Sequence, residues 1–376
     1  MQKFPNSLNI TEIKKVPFSG MTIPEIADEL DAFSPGEKIP AYRSKQIFLQ
    51  IKNGARNFEE MTCLPKKLIK TLEERSVICG SRPGKKYFGR DGTIKLVLEL
   101  QDGVLIETVL LDSSSGNKPK PDAVKKPHYT ACLSTQAGCP MGCVFCKTGS
   151  MGFIRNLEPS EIVEQYLFLN DELKKKSKEY RISNVVVMGM GEPMLNLNAL
   201  RKALKILCDP AGFSVSKRKI TVSTAGVNNG ITDMAKNGPE TELAVSIASA
   251  REELRKRLMP GTITYPLPQL NEALSRYQEK QKRRITIETI LLGGINTGPE
   301  DARALIDFCR NLDVTVNLIP WNPVKELSFE GEKLRQPAPE EVKKFSAMLE
   351  EGGITVTQRY RRGRGVSGAC GQLGTQ

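Results

Sequence analysis

The pattern of apolar and polar residues divides the chain into a helical first part, a β-hairpin and a longer alternating region. Between Ile47 and Ile51 apolar residues recur at helical spacing, and Gly54 is typical of a helix end. Two alternating runs follow, Thr93–Leu100 and Val104–Leu111, and the Asp-Gly pair between them predicts a hairpin turn. We therefore expect a small helical N-terminal accessory domain followed by a β extension.

From residue 128 onward, short apolar runs alternate with amphipathic stretches. The runs that predict strands are Tyr129–Ser134, Asn184–Met190, Ile220–Thr224, Leu243–Ile247, Ile285–Leu292 and Val314–Ile319. The stretches that predict helices include Pro159–Asn170, Leu200–Leu207 and Leu267–Tyr277. Such alternation is typical of βαβ units and a parallel sheet, closed or partly closed as a barrel. The sequence therefore predicts the α/β class.

Shifts in composition indicate the domain boundaries. The segment Ser113–Pro127 is rich in Ser, Pro and Lys, which is typical of a linker. We expect the helical accessory domain in residues 1–90, the hairpin extension and linker in 91–127, and the α/β core in 128–350. Residues 351–376 are expected to form a C-terminal strand and a mobile, glycine-rich tail.

The charge balance points to a polyanionic partner. The 376 residues carry 55 Lys and Arg against 43 Asp and Glu, a formal net charge of +12. Nucleic acid is the simplest such partner, although a basic surface without a specific partner has the same composition. No stretch approaches the ~18 apolar residues that cross a bilayer, and the N-terminus lacks the apolar segment of a secretory signal. We expect no membrane association and a cytoplasmic location.

Nine cysteines and one histidine, His128, limit the available metal chemistry. Without an export signal, the cysteines are expected to be thiols, metal ligands or catalysts rather than structural disulfides. Cys139, Cys143 and Cys146 form a CxxxCxxC motif directly after a predicted strand. Three thiolates can hold three irons of a [4Fe–4S] cluster and leave the fourth iron open to a ligand. Zinc, which needs a fourth soft ligand, and unligated structural cysteines are the alternatives.

A CxxxCxxC loop after the first strand of a β/α repeat resembles the radical S-adenosylmethionine (SAM) superfamily. Further segments resemble the RlmN/Cfr family of RNA adenosine methyltransferases, in the family's order along nearly the whole chain. These segments are CLSTQAGC at 132–139, GFIRN at 152–156, GMGEP at 189–193, VST at 222–224, NLIPWNP at 317–323 and ACGQL at 369–373, with YRSKQIF at 42–48 and MTCLPK at 61–66 in the accessory domain.

This resemblance implies a fold, two cofactors and an electron donor. The fold is a radical SAM partial (β/α)6 TIM-like barrel with an N-terminal helical accessory domain that binds RNA. Cys139, Cys143 and Cys146 hold one [4Fe–4S] cluster per chain, and SAM binds the open iron. A flavodoxin- or ferredoxin-type protein supplies the electron that cleaves SAM to a 5′-deoxyadenosyl radical.

Three further residues receive catalytic roles from the resemblance. Cys370, in the tail, takes a methyl group from one SAM by displacement, a reaction suited to a thiolate. A second SAM activates that methyl group, its carbon joins the base, and Cys132 releases the product by forming a transient disulfide with Cys370. Glu107 acts as the general base for the C2 proton. By residue type alone, Cys132 and Cys370 could also be structural thiols, and Glu107 could be a charge on a solvated strand face.

The resemblance also implies SAM contacts at the ends of successive strands. The residues are Gly191, Glu192, Ser223, Ser246, Ile247, Ala248 and Asn322. Two positions depart from the family pattern, which has His in place of Ala248 and an Asp-Ile pair in place of Gly365-Val366. A backbone contact at position 248 tolerates that change, whereas a side-chain contact does not.

The implied activity is C2 methylation of adenosine 2503 in 23S rRNA, at the peptidyl transferase centre, and of adenosine 37 in tRNAs, by a monomer. Because the target base is stacked, we expect it to be flipped out into the barrel mouth. Basic tail residues are candidates for phosphate contacts, although a solvated tail has the same composition: Arg359, Arg361, Arg362 and Arg364. There are two alternatives. One is methylation at C8 by the same catalytic residues, and the other is a noncatalytic iron–sulfur protein that binds RNA or carries electrons.

Overall fold

A ten-stranded sheet runs through the described chain, from an antiparallel extension to a parallel half. The structure is a computed structural model that describes residues 15–33, 39–112, 127–358 and 363–374. The strands are β1 (Val16–Pro17), β2 (Ser76–Val77), β3 (Arg82–Phe88), β4 (Ile94–Glu99), β5 (Leu105–Asp112), β6 (Tyr129–Cys132), β7 (Gln136–Gly138), β8 (Phe153–Asn156), β9 (Ile182–Val187), β10 (Ile220–Thr224), β11 (Glu242–Ser246), β12 (Ile285–Leu291), β13 (Val314–Pro320), β14 (Ser328–Phe329), β15 (Glu332–Lys333) and β16 (Val356–Gln358).

Amphipathic helices follow most of the core strands. The α-helices are α1 (Ile23–Phe33), α2 (Tyr42–Asn53), α3 (Lys66–Arg75), α4 (Lys147–Ser150), α5 (Pro159–Lys176), α6 (Leu197–Cys208), α7 (Asn228–Asn237), α8 (Glu252–Leu258), α9 (Leu267–Gln281), α10 (Pro299–Cys309) and α11 (Pro339–Glu351). The three stretches for which helices were predicted fall in α5, α6 and α9. Within the described ranges, none of these helices has the length and apolarity needed to cross a bilayer.

The parallel half is a partial barrel. β6, β9, β10, β11, β12 and β13 lie side by side in chain order, and each pair of neighbours is parallel. β16 adds a further parallel strand beside β13. At the other edge β6 pairs with antiparallel β5, so the described sheet does not close on itself. The predicted α/β class and partial barrel are confirmed.

Each core strand serves two faces, as β10 shows. Ile220 and Val222 are completely buried in the hydrophobic core. Because successive side chains on a strand point to opposite faces, Thr221 and Ser223 face the other way and line a cavity. Apolar packing on one face therefore positions polar groups on the other.

The β extension has three strands rather than the expected two. The predicted hairpin is present, with Leu98 opposite Ile106 and Gly103 at a φ of 78° in the turn. β3 pairs with β4 as an additional antiparallel strand that was not predicted. Its sequence, RPGKKYF, is mostly exposed and contains Pro and Gly, so it carries no alternating apolar signal. The expected boundary after residue 90 falls between two paired strands.

The N-terminal helices pack as their apolar spacing predicts. Ile47 and Ile51 on α2 are buried, and the helix ends at Gly54, whose φ of 116° places it in the left-handed region. The buried carboxylate of Glu164 on α5 joins this part to the core. It accepts hydrogen bonds from Ser19 Oγ at 2.6 Å and from the backbone N–H of Ser81 at 2.7 Å. Burial raises the pKa of Glu164.

Candidate active site

One cavity of about 750 Å³ lies inside the partial barrel and contains most of the predicted site. Of the nine cysteines, all of which the structure describes, five line it: Cys132, Cys139, Cys143, Cys146 and Cys370. Five of the predicted SAM contacts also line it: Gly191, Glu192, Ser223, Ser246 and Asn322. Residues that are far apart in sequence therefore line one cavity.

The loop that carries the CxxxCxxC motif is held by neighbouring elements. Val144 donates its backbone N–H to the carbonyl of Leu258 at the end of α8, at 3.0 Å. The buried indole of Trp321 donates its Nε1–H to the carbonyl of Phe145 at 2.8 Å. These bonds hold the backbone between Cys143 and Cys146 against α8 and Trp321.

Burial determines the protonation of the three motif thiols. It raises the pKa of Cys139 to about 12 and the pKa values of Cys143 and Cys146 above the ordinary value. As thiols these side chains are therefore neutral, and they become thiolates only where a bound cation compensates the charge. Among the described side chains, no three His, Cys, Asp or Glu groups converge on a single metal ion. A cluster requires only that each thiolate reach its own iron.

The turn at the end of β9 forms one wall of the cavity. Gly191 has a φ of 100°, and a Cβ there would lie 2.4 Å from the Cβ of Gln136. Only glycine therefore fits this close approach. Glu192 donates its backbone N–H to Gln136 Oε1 at 2.7 Å, and its buried carboxylate accepts from the N–H of Ala225, also at 2.7 Å. Burial raises the pKa of Glu192.

The donor set fits a cluster and SAM. Asn322 Oδ1 is buried and has no hydrogen-bond partner in the described part of the chain, so the cavity offers an unsatisfied acceptor to a ligand. Ser223 and Ser246 place their hydroxyls 3.5 Å apart on adjacent strands. Three half-buried thiols complete the set, and thiolates are the usual ligands of iron–sulfur clusters.

Two predicted SAM contacts do not line the cavity. Ile247 and Ala248 are buried in the core behind Ser246. The backbone carbonyl of Ala248 already accepts a hydrogen bond from Asn296 Nδ2 at 2.6 Å. Successive side chains of a strand point to opposite faces, so Ile247 points away from the cavity that Ser246 lines. The spacing of residues in the family motif does not show this difference.

The tail that carries Cys370 is docked on the motif loop. Lys147 donates its backbone N–H to the carbonyl of Gly371 at 2.8 Å, and Thr148 Oγ1 donates to the carbonyl of Leu373 at 2.8 Å. Asn322 Nδ2 donates to the carbonyl of Cys370 at 3.1 Å. Cys370 is exposed at the edge of the cavity. The expected tail is thus seen here in one anchored position.

Glu107 lies apart from the cavity lining. It is completely buried in β5, and its Oε1 forms a salt bridge with Lys95 Nζ at 2.9 Å. Its Oε2 accepts from the N–H of Gly374 at 2.8 Å. The sequence analysis missed Lys95, although the hairpin contained the signal. With Val97 opposite Glu107, Lys95 is a diagonal neighbour on the same face.

The proposed phosphate contacts in the tail cannot be placed. Arg359, Arg361 and Arg362 lie outside the described residues, and so does the side chain of Arg364. The departing pair Gly365-Val366 belongs to a short 3₁₀ turn, Arg364–Val366.

Comparison with known proteins gives the class of enzyme. A family model described as the radical SAM superfamily matches residues 133–309. A crystal structure of a radical SAM methyltransferase from Sphaerobacter thermophilus superposes with a TM-score of 0.86 at 34% identity, covering 96% of this chain and 100% of that one. The fold and the site therefore define a radical SAM methyltransferase.

The relatives give the family. A protein from Treponema pallidum (strain Nichols), named "Probable dual-specificity RNA methyltransferase RlmN", is 42% identical over 352 residues, covering 94% of this chain and 96% of the relative. A protein of the same name from Treponema denticola is 44% identical over 334 residues, covering 89% and 90%. This chain belongs to the RlmN family, as its motifs predicted. An enzyme of this class leaves no place for the noncatalytic alternative.

Proposed function

We propose that this protein methylates C2 of an adenosine in RNA, at adenosine 2503 of 23S rRNA and at adenosine 37 of tRNAs. C2 is an sp² carbon without a nucleophilic lone pair, so simple displacement from a SAM methyl group fails. A radical route avoids this problem, but it needs two cysteines beyond the metal-binding motif: one to carry the methyl group and one to release the product. The proposal rests on one observation: Cys132 and Cys370 line the same cavity as the three motif cysteines.

The cofactors are assigned to the cavity residues. Cys139, Cys143 and Cys146 hold one [4Fe–4S] cluster, and Glu192 and Asn322 bind SAM beside it. The cluster and SAM, when bound, supply a carbon radical. A flavodoxin- or ferredoxin-type donor and a monomeric state are further parts of the proposal.

Cys370 and Cys132 divide the transfer between them. The sulfur of Cys370 carries the methyl group as a thioether, which binds the methyl carbon until that carbon bonds to the base. Once the adduct has given up the C2 proton to the general base and one electron, which the cluster would accept when bound, the Cys132 thiolate attacks this sulfur. The sulfur–sulfur bond forms as the carbon–sulfur bond breaks, the electron pair of the broken bond stays on the carbon, and a proton completes the methyl group of the released base. An external dithiol or reductase restores both thiols. The exposure of Cys370 suits a residue that must meet both SAM and RNA.

Glu107 is the proposed base, and its neighbours set the conditions for that role. Lys95 and the N–H of Gly374 occupy its two oxygens in the docked state of the tail. Because Glu107 is completely buried in this state and does not line the cavity, a proton from the target adenine can reach it only if the tail moves. The same tail carries Cys370, so its departure from the docked position would make the base available when the thioether moves toward RNA.

Anaerobic reconstitution tests the proposal. The purified protein is loaded with iron and sulfide, then given SAM, a reductant and either a 23S rRNA fragment or a tRNA. We expect bound iron, 5′-deoxyadenosine and 2-methyladenosine, identified by mass spectrometry of digested RNA. Cys143→Ser should abolish all three. Cys208→Ser, at the end of α6 and outside the cavity lining, should leave them intact.

The outcomes separate the alternatives. A methyl group at C8 would replace the C2 assignment and keep the enzyme class. Modified rRNA beside unmodified tRNA would restrict the substrate to rRNA. Release of 5′-deoxyadenosine without any RNA modification would contradict the proposed RNA substrates.

A further inference from the structure

The active-site cavity has a second end that neither the motifs nor the SAM contacts explain. Arg218 and Lys219, which directly precede β10, line the cavity at this end. Thr221 and Ser223, on β10 itself, line it further along the strand. Ser223 lies toward the carboxyl end of the strand, where the motif loop is found. Ser223 follows Lys219 by four positions, which in an extended strand is a distance of about 13 Å. The cavity therefore runs along the inside of the partial barrel and reaches the amino ends of its strands.

Two acidic residues near this end are already paired with cations. Glu240 forms a salt bridge with Lys217 at 3.1 Å, and Glu242 on β11 forms one with Arg283 at 2.7 Å. Arg218 and Lys219 are exposed, and their side chains form no ion pair or hydrogen bond with any residue that the structure describes. Within the described ranges, this rim therefore carries two cations without an ion-pair partner at an opening of the cavity.

The wall between the rim and the cysteines combines polar side chains with apolar ones such as Val186. Asn184 on β9 and Thr221 on β10 line it, and these strands are parallel neighbours. Amide and hydroxyl groups can exchange hydrogen bonds with the edge of a nucleobase. Cations at the opening and hydrogen-bonding groups behind them match the order of groups in a flipped nucleotide, whose phosphate lies outside and whose base lies inside.

We propose that Arg218 and Lys219 bind the phosphates that flank the target adenosine. The base then enters the barrel from the amino ends of the strands and approaches Cys132 and Cys370 from the side opposite the motif loop. This inference rests on the proposed RNA substrate and adds the route by which that substrate enters. It assigns phosphate binding to residues of the described core, independently of the basic tail.

Charge-matched variants test this assignment. Arg218→Gln and Lys219→Gln each remove one positive charge, and Lys217→Gln removes one from the same turn. Lys217 already pairs with Glu240, so it is the control. Binding of the reconstituted holoenzyme to a short RNA hairpin that contains the target adenosine is measured by fluorescence anisotropy across a salt series. Formation of 5′-deoxyadenosine without RNA reports whether the cluster and SAM sites remain intact.

Counterion release sets the expected size of the effect. Each lost phosphate contact should reduce the slope of log affinity against log salt by about 0.7–0.9 and weaken binding most at low salt. Arg218→Gln and Lys219→Gln should show this loss while 5′-deoxyadenosine formation stays at the wild-type level. Lys217→Gln should stay near the wild-type slope.

Three outcomes would overturn the inference. One is equal slopes for all three variants and the wild type. A second is an equal decrease in all three, which would indicate general charge rather than a phosphate site. The third is unchanged RNA binding with slower reduction by the electron donor, which would make the rim a protein-docking surface. In each case wild-type RNA methylation would stand, whereas failure of the wild type to modify RNA would count against the proposed function itself.

Discussion

Gly374 donates its backbone N–H to Glu107 Oε2 at 2.8 Å, so the docked tail ends on a fully buried carboxylate. The other carboxylate oxygen pairs with Lys95, which is buried as well. The Glu107 carboxylate therefore binds both Lys95 of the β extension and the backbone of the tail. The position of the segment that carries Cys370 is thereby coupled to the environment of the proposed base.

The Lys95–Glu107 pair should be costly to break from one side. Lys95→Met leaves a buried, uncompensated carboxylate, so we expect the free energy of unfolding to fall by about 3–5 kcal/mol. Lys95→Met/Glu107→Gln should lose less than the sum of the two single variants, because the double variant buries no unpaired charge. Urea denaturation of all three proteins measures the coupling.

A partly exposed pair provides the control for that cycle. Lys86 and Glu172 lie 2.7 Å apart, with about a third of the lysine side chain exposed. Lys86→Met should therefore cost no more than about 1 kcal/mol. Equal losses for Lys86→Met and Lys95→Met would show that burial of Lys95 does not make its salt bridge special.

Thr148 should anchor the tail to the motif loop. Thr148→Val keeps the shape of the buried side chain but removes the hydrogen bond to the Leu373 carbonyl. One hydrogen bond contributes about 1 kcal/mol, so the equilibrium constant for opening of the tail should rise roughly fivefold. Hydrogen–deuterium exchange at the amides of Lys147 and Gly374 reports this opening. Ser150→Ala, which removes only a bond to the Lys147 carbonyl within α4, is the control and should leave Gly374 unchanged.

Removing the resolving thiol should trap a reaction product. With Cys132→Ala, the bond between the transferred carbon and Cys370 has no thiol to break it, so the chain and RNA should remain covalently joined. Denaturing gel electrophoresis would show a band that RNase shifts, and peptide mass spectrometry would locate the adduct at Cys370. Cys309→Ala, a change at a buried residue outside the cavity lining, should form no adduct. Release of methylated RNA by Cys132→Ala at the wild-type rate would contradict the role of this thiol.

Glu341 should make stability depend on pH at the start of α11. The side chain of Arg335 lowers the pKa of Glu341 from 4.5 to about 2, and the backbone N–H of Ala338 adds to this effect. The unfolded chain binds the proton more readily, so the stabilisation is complete above pH 4.5 and is lost as the pH falls toward 2. The Arg335–Glu341 pair is partly exposed, so we attribute most of the stabilisation to the bond between the Ala338 N–H and Glu341 at the start of the helix. Such a cap contributes about 1 kcal/mol to the free energy of unfolding.

Urea denaturation at pH 7 and pH 3 checks this dependence. Glu341→Gln should be less stable than the wild type at pH 7, and the gap should narrow at pH 3. Glu340→Gln is the control, since this exposed neighbour in the same turn has no side-chain hydrogen bond within the described chain. A gap that stays constant with pH would indicate that the carboxylate charge of Glu341 does not contribute.

Local sequence patterns were sufficient for the elements and for much of the chemistry. The short apolar runs between amphipathic stretches predicted all six core strands, because the composition of a single buried strand is a short-range property. Asp102-Gly103 predicted the hairpin, and its register contains the diagonal placement of Lys95 and Glu107. The motif at Cys139–Cys146 predicted a metal-binding loop from spacing within eight residues. In each case the interacting groups are close together in the chain.

Long-range contacts decided the rest. Thr148 and Leu373, 225 residues apart, anchor the tail beside the motif loop, and no local pattern encodes such a pairing. Ile247 and Ala248 are buried without lining the cavity, whereas Arg218 and Lys219 line it at the amino end of β10. The depth and the openings of a cavity depend on how whole strands and helices pack. Spacing along the chain carries no record of that packing.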